Sequence, residues 1–226
     1  MIVVGDCSAA WGDNPKLPYS GNYDVFAAKL NSSGGLEWHT FLGSTSHDFG
    51  TSVAVDAAGN IYVGADSFAE WGTPVIPFAG IDDSFVAKLN GNGVLQWHSF
   101  VGGPGYEANY GLTLDRDGNV YIAGESSEPW GNPLINFAGG ESDGFVAKLN
   151  SNGELQSHTF LGGPGLDYAG AVAVDDDGMV YLAGDGTAPW GRPVRPFSGG
   201  FDGYVAKLHL YKFPWAMFLP ALNQQQ

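Results

Sequence analysis

The chain has 226 residues, 44% of them hydrophobic, with 35 Gly, 13 Pro and 14% aromatic residues but only 15% charged ones. That mixture fits many short strands joined by tight turns and leaves little room for helices. A net charge of −15, with Lys and Arg numbering 9 together, repels phosphate backbones and anionic lipid and argues against a nucleic-acid partner.

Taken from the start, Met1 runs into Ile2-Val3-Val4 without the basic opening of a signal peptide, which predicts a leader absent from this chain or export by another route. Cys7, the only cysteine, excludes an internal disulfide and a cysteine metal cluster. Three landmarks follow: Trp11-Gly12 in a loop rich in Gly and Pro, then Phe26-Ala27-Ala28-Lys29-Leu30, then Trp38-His39-Thr40-Phe41-Leu42. All return about every sixty residues, which marks a tandem repeat. Trp71-Gly72, Trp130-Gly131 and Trp190-Gly191 repeat the first, and Phe85 to Leu89, Phe145 to Leu149 and Tyr204 to Leu208 repeat the second.

Between landmarks, Val53-Ala54-Val55, Leu112-Thr113-Leu114 and Val172-Ala173-Val174 are apolar on both faces, which predicts an innermost strand covered on both sides. Asp56, Asp115 and Asp175 each open an Asp-x-x-Gly hairpin turn leading into a second strand such as Tyr121-Ile122-Ala123. The Phe-Val-Ala-Lys-Leu run is the third strand, and Leu95 to Val101, with one partly polar face, is the fourth and outermost. Because Met1 aligns with Ile61 and Val120, the first unit starts at its second strand and lacks the inner one. At the far end, Trp215-Ala216-Met217-Phe218-Leu219 keeps the Trp-x-x-Phe-apolar pattern and predicts a degenerate outer strand. The units fall at about residues 1–45, 46–104, 105–163 and 164–220, followed by a polar tail at about 221–226, all within one repeat domain. No stretch reaches the roughly twenty apolar residues of a membrane-spanning helix.

Asp-x-x-Gly-Asn-x-Tyr (Asp56 to Tyr62, Asp115 to Tyr121), Phe-Val-Ala-Lys-Leu-Asn (Phe85 to Asn90) and Trp-His-Thr-Phe-Leu-Gly (Trp38 to Gly43), in that order, resemble the bacterial SBBP β-propeller repeat family over nearly the whole chain. The resemblance implies an all-β propeller of about four four-stranded blades, the first lacking its inner strand, in a secreted or cell-surface setting. It carries over no shared activity. Ser157 in place of the outer-strand Trp and Met179 in place of the usual Asn depart from the pattern. A single blade cannot bury both apolar faces, so neighbours must stack on it. The ring is therefore expected to close on itself or to be completed by association with other copies.

Among candidate sites, His39, His98 and His158 occupy equivalent places in different units, too far apart to share a metal, and read as partly exposed strand histidines. The Asp-x-x-Gly turns lack the downstream Glu of calcium loops and could hold at most a weak surface calcium. No other cofactor or metal is expected. Trp11, Trp71, Trp130 and Trp190, on the long loops of one rim, are the candidates for binding a glycan or a surface protein, against the plainer reading that each packs on a neighbouring blade. Cys7, His47, Glu70, Glu107 and Arg195 do not repeat and form no recognisable triad or carboxylate pair, so no enzyme is expected. Ile2, Val3 and Val4 at one end and Trp215, Phe218 and Leu219 at the other are the candidate assembly edges. The leading expectation is a non-enzymatic extracellular protein that self-assembles into a fibre, sheath or surface layer. The alternative is a monomeric binding module using the rim tryptophans.

Overall fold

The computed structural model describes residues 1–210, all of them in strands, turns and loops with no helix. Strands β1 (Ile2–Cys7), β2 (Asp24–Leu30) and β3 (Leu36–Leu42) form a first antiparallel sheet. Strands β4 (Asp48–Val55), β5 (Ile61–Ser67), β6 (Asp83–Leu89) and β7 (Leu95–Val101) form a second in that order. The pattern continues in β8 (Glu107–Leu114), β9 (Val120–Ser126), β10 (Gly140–Leu149) and β11 (Leu155–Leu161), then in β12 (Gly165–Val174), β13 (Met179–Gly186) and β14 (Asp202–His209). A short parallel contact, Gly140 to Gly165 and Ser142 to Leu166, joins the N-terminal extension of β10 to β12 and so links these last two groups. The outer strand expected around Trp215 to Leu219 lies outside the described residues.

Each hairpin turn between an inner strand and the second strand is closed by its own aspartate. Asp56 accepts from the amides of Ala58 and Asn60, from the Asn60 side chain and from the Tyr62 hydroxyl at 3.3 Å. Asp115 repeats the set through Asp117, Asn119 and Tyr121. These bonds to the ionised form hold both carboxyls below the usual range despite partial burial. The repeated Lys of the third strand lies over the same tyrosine, Lys88 at 5.1 Å from the Tyr62 ring centre and Lys148 at 5.1 Å from that of Tyr121.

Stability comes from sheet against sheet. Val25 and Ala27 of the first pack on Ile61, Val63 and Phe85 of the second. Tyr62 and Val86 of the second pack on Val120, Ile122 and Phe145 of the third, and Tyr121 and Val146 of the third on Val180 and Leu182 of the fourth. Outer-strand tryptophans stitch the same junctions: Trp38 Nε1 donates to the Gly91 carbonyl at 3.2 Å and Trp97 Nε1 to that of Ser151 at 3.0 Å. Where Ser157 replaces the tryptophan, its hydroxyl reaches the Leu210 carbonyl at 2.8 Å.

One expectation is corrected. The inner strands are not covered on both sides: Val53 and Val55 of β4 are 38% and 50% exposed, and Leu112, Leu114, Val172 and Val174 are only partly buried. The continuously buried strands are the middle ones, β5 and β6. A middle strand has a hydrogen-bonded neighbour on each side and a packed sheet on each face, whereas the inner strand is a sheet edge. Each inner strand also carries a bulge, between Gly50 and Ser52, Asn109 and Gly111, or Ala169 and Ala171. The bulge drives a carbonyl at the second strand: a Cβ at Gly124 would lie 1.8 Å from the Ala108 oxygen, and one at Gly184 1.8 Å from that of Tyr168. Only glycine fits there.

Candidate functional site

The long loop of each of the first three units folds back along its own outer strand. Lys16 and Phe41 exchange backbone bonds with His39 and Leu17, Val75 and Phe100 with His98 and Ile76, and Leu134 and Phe160 with His158 and Ile135. The outer edge is thereby covered. This places Trp11, Trp71 and Trp130 over the histidines of the same sheet: ring centres are 4.5 Å apart for Trp11 and His39, 3.8 Å for Trp71 and His98, and 3.8 Å for Trp130 and His158. His98 Nε2 donates to the Trp71 carbonyl at 2.8 Å, and His158 Nε2 to that of Trp130 at 2.9 Å. The glycine after each tryptophan has positive φ and sits against the imidazole, so a Cβ at Gly131 would stand 2.7 Å from His158 Cε1.

Two expectations change accordingly. His39, His98 and His158 are buried, not partly exposed. Burial pushes the His98 pKa down and keeps that ring neutral. The loop tryptophans pack on their own sheet; Trp38 and Trp97 make the cross-sheet contacts. Trp71 is only 9% exposed, with one face against an imidazole. Trp11 and Trp190 are half-buried, and Trp190 meets Tyr204 edge-on at 4.9 Å. The four tryptophans stay in separate units.

At the ends the covering relation stops. Val86 and Val146 are fully buried by the following sheet, but Val205, their equivalent in β14, is 80% exposed. Beside it runs an open groove lined by Trp190, Pro193, Val194, Phe197 and Tyr204. At the other end Phe26 is half-buried where Phe85 and Phe145 are fully buried. Among the described residues β1 pairs only with β2, leaving its other edge unpaired; Ile2 and Val4 pack against the first core, and Val3 is half-buried. Trp215, Phe218 and Leu219 lie outside the described residues.

The sequence reading missed a repeated carboxylate pair at each junction between sheets. The residues before each third strand bridge in parallel to those before the next inner strand, as Tyr23 with His47 and Asp82 with Tyr106. This seam sets Asp24 beside Asp48, Asp83 beside Glu107 and Asp143 beside Asp167, all fully buried. Asp83 accepts from the Ala79 amide at 2.7 Å, and Glu107 from the Gly103 amide at 2.7 Å and the Ser126 hydroxyl at 2.8 Å. Asp167 accepts from the Gly163 amide at 2.8 Å. Burial raises these carboxyls, Asp48, Asp83 and Asp143 to about 6 and Glu107 to about 7. Glu107 is therefore no singleton but the counterpart of Asp48 and Asp167. The signal was present in the repeat: Asp24, Asp83, Asp143 and Asp202 each stand two residues before the aromatic that opens the third run. Among the described residues no group of three or more His, Cys, Asp or Glu side chains is arranged to hold a metal.

The chain is similar to an uncharacterized WD repeat-containing protein of Acanthamoeba polyphaga mimivirus, 26% identical over 162 residues. The match covers 63% of this chain and 11% of that relative. Residues 37–67 and 96–129, each running from an outer strand into the next unit, match the beta-propeller repeat family SBBP.

Proposed function

We propose that this protein is a non-enzymatic propeller-repeat scaffold of about four blades that self-associates outside the cell, the last sheet of one copy receiving the first sheet of another. The observation that carries this reading is the exposure of Val205 at 80%, set against complete burial of Val86 and Val146 at the same place in the preceding sheets. The internal junctions supply the template for the contact. There, the valine face of one sheet is covered by the phenylalanine face of the next, and the two ends present these same halves in Val205 and Phe26. Repetition of that junction between copies gives a ring if the rotation closes and a filament if it does not. The straps along the outer strands of the first three sheets leave the sheet faces as the surfaces for growth.

The test is light scattering and electron microscopy of the full chain over a concentration series. Assemblies that disperse in Val205→Asp, with the circular dichroism of the folded sheet retained, are the expected result. A wild-type chain that stays monomeric throughout sinks the proposal. A second reading, a monomeric glycan- or protein-binding module, draws on Trp190, half-buried beside the open groove. It predicts that Trp190→Ala abolishes glycan-array binding without changing the oligomeric state.

A further inference from the structure

The seam carboxylates face a shared point. A Cβ at Gly102 would lie 2.5 Å from Glu107 Oε2 and 2.7 Å from Asp83 Oδ1, and one at Gly162 would lie 2.6 Å from Asp143 Oδ1 and 3.0 Å from Asp167 Oδ2. Both positions are glycine, which leaves the two oxygens of each pair close together with no side chain between them. Asp143 Oδ1 belongs to a fully buried side chain and has no hydrogen-bond partner, Asp82 Oδ1 at the first of these seams is likewise buried and unpartnered, and Asp83 Oδ1 is as deeply buried with only the Gly80 amide beside it. At the first of these seams main-chain oxygens approach Asp83 Oδ1 from its other side, around a second point beside Gly80. The Cβ position of Gly80 is 2.3 Å from the Gly103 carbonyl oxygen, 2.7 Å from that of Gly105 and 2.8 Å from Asp83 Oδ1.

Two buried carboxylates side by side repel one another unless a proton or a cation stands between them. The ion pairs among the described residues, Lys29 with Glu37, Arg116 with Asp176 and Lys148 with Asp115, involve none of these groups. The donors at the seam are oxygens alone, anionic from side chains and neutral from the backbone, which is the set that hard divalent ions of calcium size prefer. Nitrogen and sulfur ligands, which zinc or copper favour, are not among them.

We propose that the junctions between consecutive sheets are calcium sites, the principal one formed by Asp83, Glu107 and the carbonyl oxygens around Gly103 and Gly105, with Asp143 and Asp167 forming its counterpart one unit on. Bound there, the ion ties a third strand to the inner strand of the next sheet and so couples neighbouring units. With two carboxylates per site the affinity falls in the range of extracellular calcium modules, on the order of 0.1–1 mM.

The test uses the full chain stripped with chelator at about neutral pH. Calorimetric titration with CaCl2 should show saturable binding, and the thermal midpoint should rise by several degrees in about ten-fold excess over the dissociation constant. Asp83→Asn with Asp143→Asn should remove the calcium-dependent rise, while Asp13→Asn, at an exposed loop position, should keep it. Absence of heat and of any shift in the wild-type chain overturns the proposal whatever the variants do. So does an equal shift with NaCl at matched ionic strength, which assigns the effect to screening, or a calcium response that survives in the double variant.

Discussion

Replacing Trp71 by alanine tests whether the loop tryptophans are core or contact surface. The ring is 9% exposed, lies 3.8 Å from the His98 ring centre in a stack with 9° between planes, and meets Phe85 edge-on at 5.3 Å. Removing a buried tryptophan loses the transfer energy of its apolar area and leaves a hole beside Phe85, together about 3–5 kcal/mol. Stacking contributes about 0.5–1.5 kcal/mol of that beyond area alone, and a double-mutant cycle with His98→Ala isolates it. Against a typical domain stability of roughly 5–15 kcal/mol the loss is large. Guanidinium unfolding followed by far-ultraviolet circular dichroism measures it without depending on tryptophan fluorescence. A loss below about 1 kcal/mol, or zero coupling to His98, would mean that the stack does not hold the loop on its sheet.

Acidity and packing give two further outcomes. The raised carboxyls Asp48, Asp83, Asp143 and Glu107 bind protons more tightly in the folded chain than in the unfolded one, so stability should grow as pH falls from about 8 toward about 4 and each group becomes neutral. Below that, Asp56 and Asp115, held low by their turns, protonate and stability should fall again; scanning calorimetry across this range reads both limbs, and a monotonic profile contradicts the assignment. Gly124→Ala should cost about 3 kcal/mol or more because its Cβ meets the Ala108 oxygen, whereas Gly170→Ala, whose nearest neighbour is 3.8 Å away, should be nearly neutral. Equal midpoints for the two in urea unfolding would refute the bulge argument.

The strand order was legible in the sequence because a period of about sixty residues aligns four runs at once, and any misreading of one copy is corrected by the others. Burial was less legible. Val53-Ala54-Val55 has the unbroken apolar character of a covered strand, yet its place at a sheet edge exposes alternate residues, and only the tertiary arrangement decides that. The histidines were misjudged for a similar reason: His98 sits on an alternating strand, and the ring that covers it comes from a loop 27 residues earlier. Glu107 looked isolated because its partner Asp83 belongs to the previous unit, and a change of Asp to Glu hid the repeat it shares with Asp48 and Asp167.

The loop strapped along the outer strand of each of the first three units also bears on how such chains vary in length. A unit whose lateral hydrogen bonds are consumed by its own connection can be copied or deleted without creating an adhesive border toward bystander proteins. Gene duplication can then lengthen the stack along one axis while its strapped outer border stays inert.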